Sequence, residues 1–74
     1  MNHYTMIIQW SDEDQAYLVM FPEFPFAQTH GETHEAAARR GEEVLRLLVE
    51  DYEKRGQPLP RPLPAVILQT GDGG

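Results

Sequence analysis

The sequence predicts an α+β fold of order β-β-β-α-β: a four-stranded, mostly antiparallel sheet with one long helix across one face. Three observations predict it. Residues 3–10 and 16–21 read as two strands separated by the polar run Ser11-Asp12-Glu13-Asp14. Pro22 and Pro25 interrupt the chain directly after the second strand. A single helical periodicity then runs over residues 34–55.

In the first strand, Tyr4, Met6, Ile8 and Trp10 share one face, with Thr5, Ile7 and Gln9 on the other. The second strand puts Tyr17, Val19 and Phe21 on one side and Leu18 and Met20 on the other. Both of its faces are apolar, as expected of a strand covered on both sides. A third, antiparallel strand is expected over residues 26–30, and Gly31 gives a flexible joint.

Thr33 is the expected helix N-cap, with Glu35 in the first turn where the helix dipole favours negative charge. Ala36 stands where a capping box would need Glu. Ala37, Gly41, Val44, Leu45, Leu48 and Tyr52 form the apolar stripe. Four acid–base pairs at i,i+4 spacing support the opposite face: Glu35–Arg39, Glu42–Arg46, Glu50–Lys54 and Asp51–Arg55. Gly41 weakens the helix and is expected to allow close packing against the sheet. Gly56 ends the helix, and four prolines between Pro58 and Pro64 make a stiff connector. Residues 65–69 read as a last strand beside the first. Residues 1–70 are thus expected to form one domain, followed by a disordered tail at 71–74.

A chain of 74 residues has a small core, and without cysteine it has no disulfide or thiolate metal site to support it. One helix covers one sheet face, so a second copy is the simplest cover for the other. A homo-oligomer, most simply a dimer, is expected. The formal net charge of −6 argues against direct nucleic-acid binding and favours a basic protein partner. Neither a membrane-spanning run nor a signal peptide is recognisable, so a cytoplasmic location is expected.

No catalytic group, metal site or cofactor is expected. A nuclease of the ribonuclease H type needs carboxylates converging on metal ions, and the first strand has no acidic residue. Asp12, Glu13 and Asp14 read as a solvated turn. They also lack the ligand order of a calcium-binding loop. His30 and His34 straddle the helix start, and no third ligand stands out beside them. Ser11 has no His–Asp support, and Tyr17 and Tyr52 read as packing residues. The segment from Pro22 to Phe26 is the most unusual surface candidate. Phe24 and Phe26 flank Pro25, and either both tuck under the sheet edge or at least one forms an exposed anchor.

The run Tyr17-Leu18-Val19-Met20-Phe21-Pro22-Glu23-Phe24-Pro25, then His30-Gly31-Glu32-Thr33 and a helix, resembles the N-terminal domain of HicB-family antitoxins. The family pattern runs roughly G-Y-x-x-x-x-P-E-x-P-G-C, then G-x-T, then E-A. Phe26 and Ala27 stand where the family often has Gly-Cys, and Arg40 stands where Asn is frequent. The resemblance implies a reduced ribonuclease-H-like topology. It also implies a non-enzymatic role: neutralising a HicA-type toxin, a small basic protein that cleaves messenger RNA. Many such antitoxins carry a further operator-binding domain that this chain is not expected to contain. On this reading Asp12, Glu13, Asp14 and Glu23 meet the toxin's basic face, and Phe24 or Phe26 supplies apolar contact. The alternative is a stand-alone homo-oligomeric module that binds another protein or a small ligand.

Overall fold

The computed structural model describes residues 3–65. Three strands, β1 (Ile7–Ser11), β2 (Ala16–Met20) and β3 (Gln28–Gly31), precede one helix, α1 (His34–Lys54). The strands form an antiparallel sheet in the order β1-β2-β3. The described residues are therefore α+β with three strands and one helix. The expected fourth strand lies outside them except for Ala65, which is in no strand, and the tail at 71–74 lies outside them entirely. The ribonuclease-H-like order depends on that fourth strand.

Two strand boundaries move for one reason. β1 begins at Ile7 rather than residue 3, because its ladder partner Met20 is the last residue before the proline-containing turns. Beyond it the partner chain turns away, so residues 3–6 have no partner on β2. β3 begins at Gln28 rather than 26, because Ala27 is still closing the second turn with its N–H on Phe24 O at 2.9 Å.

The helix ends behave as the sequence predicts. Thr33 is extended, and its hydroxyl accepts the N–H of Ala36 at 3.0 Å. At the other end Gly56 takes a left-handed φ of 66°. Its N–H reaches Glu53 O, and Gln57 N–H reaches Tyr52 O at 2.9 Å, which satisfies the last carbonyls. Arg55 is the C-cap rather than the last helical residue. The helix surface carries ion pairs Glu35–Arg39, Arg46–Glu50 and Asp51–Arg55. Arg46 turns forward to Glu50 instead of back to Glu42.

The core lies between the sheet and α1. Val19, Phe21, Phe24, Ala37 and Leu45 are buried, and Tyr4, Met6, Ile8, Val44, Leu48 and Tyr52 pack around them. The helix lies closest to β3 and touches β1 least. Gly31 explains the close approach: a Cβ there would overlap the backbone of Ala37. Gly41 sits over the sheet in the same way, and a Cβ there would lie 2.5 Å from Met6 Sδ and 3.0 Å from Val19 Cγ1. The expected packing role of Gly41 is thus present.

The far side of the sheet has no helix over it. Ladder register places Ile7, Met20 and Gln28 in one outward row and Gln9, Leu18 and His30 in the next. Leu18 and Met20 are half-buried, and Ile7 is 41% exposed.

Changing Gly31 to Ala is expected to destabilise the protein by about 1–3 kcal/mol, since the clash is with backbone that cannot rotate away. Gly41→Ala is expected to cost less, because Met6 is flexible and the helix gains about 1 kcal/mol of propensity. Urea unfolding of both variants measures the difference. Equal effects would mean that the helix does not rest on β3 through Gly31.

Candidate partner-binding surface

The β1–β2 turn is acidic, exposed and internally braced. Ser11 pairs with Ala16, leaving Asp12, Glu13, Asp14 and Gln15 as the loop. At the end of the loop Gln15 takes a left-handed φ of 51°, uncommon for a non-glycine residue. Its side-chain amide donates to Asp12 O at 2.7 Å. Ser11 Oγ donates to Asp14 Oδ2 at 2.8 Å and accepts Asp14 N–H at 3.2 Å. Trp10 Nε1 donates to Asp12 Oδ1 at 2.8 Å. Asp12 and Asp14 are therefore held in place while their charge faces solvent, and Glu13 stands exposed between them.

The opposite end of β2 is built by proline. Phe24 N–H closes a turn on Phe21 O at 2.8 Å, and Ala27 N–H closes the next on Phe24 O. Pro22 and Pro25 each follow the first residue of a turn, where the fixed φ of proline suits it. Phe24, the shared corner, drops into the core. It is fully buried, with ring centroids 4.9 Å from Tyr4 and 5.5 Å from Tyr52 in edge-to-face geometry. Phe24 is thus a packing residue and offers no surface to a partner. Phe26 is 68% exposed, with its ring 6.2 Å from Phe24 in edge-to-face geometry, so of the two only Phe26 offers surface.

Glu23 is engaged within the chain. Its carboxylate accepts Thr5 N–H at 3.0 Å, Thr5 Oγ1–H at 2.9 Å and Leu63 N–H at 2.9 Å. It ties the N-terminal segment and the connector after the helix to the proline turns. Burial pushes its pKa up, but the hydrogen bonds from Leu63 and Thr5 outweigh this and hold the carboxyl below its ordinary value. Beside it, Tyr4 donates its hydroxyl to Pro60 O at 2.6 Å. Burial, the Glu23 charge and Tyr52 push the Tyr4 phenol up.

The six candidate residues do not form one patch. Asp12, Glu13 and Asp14 lie at one end of β2, and Glu23, Phe24 and Phe26 lie at the other. A five-residue strand separates the two ends by about 17 Å. Strand alternation puts Trp10 on one face with Tyr4, Met6 and Ile8. The register sets it opposite Tyr17, with centroids 5.1 Å apart, yet it remains 48% exposed on the strand that α1 touches least. Tyr17 in turn lies 4.1 Å from the His34 ring. An aromatic strip thus runs from the acidic turn to the helix start. Strand alternation could not reveal it, since alternation does not say where a helix stops.

Among the described residues, no group of three or more His, Asp or Glu side chains could hold a metal ion. His30 belongs to the outward row of the sheet, whereas His34 stacks on Tyr17. No described helix is long and apolar enough to cross a membrane. A groove of about 1180 Å³ lies between α1 and the connector, lined by both charges and by Leu45, Val49 and Leu59.

The described surface thus carries an acidic turn, an exposed phenylalanine and a sheet face with no helix over it. The chain is 36% identical over 58 residues to the UPF0150 protein Ta0767 of Thermoplasma acidophilum, covering 78% of this chain and 83% of the relative. The chain belongs to the UPF0150 family. No family model and no solved structure matches it.

The Glu23 interactions make stability depend on pH. A lowered carboxyl pKa means that the unfolded chain binds the proton more readily. The contribution is therefore complete above the unfolded value of about 4.3 and is lost as pH falls through the lower folded value. Glu23→Gln is expected to cost about 1–3 kcal/mol at pH 7, with the deficit narrowing towards pH 3. Urea unfolding at both pH values reads this. A deficit that stays constant with pH would show that the Glu23 charge contributes nothing.

Proposed function

We propose that the protein is an antitoxin-like binding protein that neutralises a small basic RNA-cleaving toxin of the HicA type by protein–protein contact. The acidic turn carries the reading. Asp12, Glu13 and Asp14 are exposed, two of them are braced, and the whole chain has a formal net charge of −6. A toxin that grips RNA needs a basic face, and this turn is its electrostatic complement. Membership of UPF0150, a HicB-like, antitoxin-related family, supports the reading. Phe26 supplies an apolar contact at the other end of β2. Glu23 and Phe24 contribute indirectly, by holding the turn that presents Phe26.

Binding kinetics with a purified HicA-type toxin test the proposal. Replacing Asp12 and Asp14 with Asn and Glu13 with Gln is expected to lower the on-rate about tenfold at low salt and to flatten its salt dependence. Phe26→Ala is expected to raise the off-rate instead. Phe24→Ala is expected to lose about 3–5 kcal/mol of stability and to unfold before binding can be read. Failure of the protein to relieve growth arrest by such a toxin, whichever member of the class is co-expressed, would remove the antitoxin reading.

A homo-oligomeric module is the second reading, and the open sheet face favours it. Ile7, Leu18 and Met20 lie there without a covering element among the described residues. Sedimentation at micromolar concentration is expected to give at least a dimer of the 8.5 kDa chain. Ile7→Lys is expected to shift it to monomer. A wild-type monomer would leave the face to a different partner.

A further inference from the structure

We propose that Trp10 is the landing site for an arginine side chain of a basic partner, with the indole face taking the guanidinium and Asp12 neutralising it. The proposal rests on the preceding reading only in taking the partner to be a basic protein. Three observations carry it.

First, the indole is exposed by construction. Trp10 sits opposite Tyr17 at the hairpin end of β1, and the helix that covers the rest of that sheet face lies towards β3. Tyr17 meets the indole with ring planes inclined at 68°, which leaves the outward part of the ring uncovered, 48% exposed overall.

Second, the ring is fixed. Nε1–H is the only hydrogen-bond donor of an indole, and it is committed to Asp12 Oδ1 at 2.8 Å. What remains for a partner is an apolar π-face with a carboxylate beside its edge. The second oxygen of Asp12 takes no hydrogen bond from the described residues.

Third, the surroundings select a cation. The π-face is the negative pole of the ring, and Asp12, Glu13 and Asp14 share the adjoining turn. Arginine fits better than lysine, because its planar guanidinium can lie on the ring, is less strongly hydrated and still donates to a carboxylate. The pairing of Trp10 with Tyr17 stabilises the hairpin in its own right. Beside that contact nearly half of the residue stays exposed to a partner.

Trp10 is the chain's one tryptophan, so its indole N–H nuclear magnetic resonance signal reports this site directly. The probe is a capped Gly-Arg-Gly-Arg-Gly peptide titrated into the full chain, with twins carrying citrulline or lysine in place of arginine. The arginine peptide is expected to shift the signal saturably, with at least threefold higher affinity than either twin. Asp12→Asn, which keeps an oxygen for the indole N–H, is expected to weaken binding at least threefold. Trp10→Leu, followed through the Tyr17 and Gly31 amide signals, is expected to abolish it. Equal affinity for the arginine and citrulline peptides, or Asp12→Asn binding as wild type with an unchanged unfolding midpoint, overturns the proposal. Equal binding of the lysine twin overturns the choice of arginine. If Trp10→Leu does not fold, the Asp12→Asn result decides. No toxin enters this titration, so it can fail while neutralisation succeeds through Phe26, or succeed while neutralisation fails.

Discussion

The described structure hangs on the paired turns between Phe21 and Ala27. Two prolines commit this stretch to turning, because neither can donate to a ladder and both favour the first corner of a turn. Consecutive turns of this kind put neighbouring residues into different environments. Phe24 goes inward to meet Tyr4 and Tyr52, and Glu23 reaches Thr5 and Leu63. Segments far apart in sequence are therefore joined at one point: the N-terminal stretch, the sheet, the helix and the connector beyond it. A small core has few such long-range ties, so losing one removes a large share of stability.

The helix position is the second constraint, and glycine sets it. With no Cβ at Gly31, the first turns of α1 can lie against β3, and Gly41 continues the contact over Met6 and Val19. The helix touches β1 least of the three strands, and Trp10 near its end is 48% exposed. The face opposite the helix keeps Leu18 and Met20 half-buried and Ile7 exposed, a mixed apolar and polar surface.

The two ends of β2 consequently have different jobs. The proline end carries cohesion, with buried rings and a carboxylate whose hydrogen bonds are all internal. The hairpin end carries charge, with its carboxylates in solvent and its backbone braced by Ser11 and Gln15. Braced charges suit recognition, because less side-chain freedom is lost when a partner arrives.

Local signals in the sequence determined the three strands, the helix, both helix ends and the two turns. Alternation, a Thr cap, a terminal Gly and paired prolines act over a few residues, and each is legible in a single chain. The acidity of the hairpin was legible for the same reason. Tertiary structure decided what each side chain faces. Glu23 reads as a surface acid, yet partners 18 and 40 positions away in sequence take its carboxylate. Phe24 and Phe26 look equivalent on either side of Pro25, and contacts with Tyr4 and Tyr52 hold Phe24 in the core while Phe26 stays in solvent. Trp10 shares a strand face with core residues, but it lies on the strand that the helix touches least and stays half-covered. In each case the deciding energy is a contact between segments distant in sequence, and local pattern does not record such contacts.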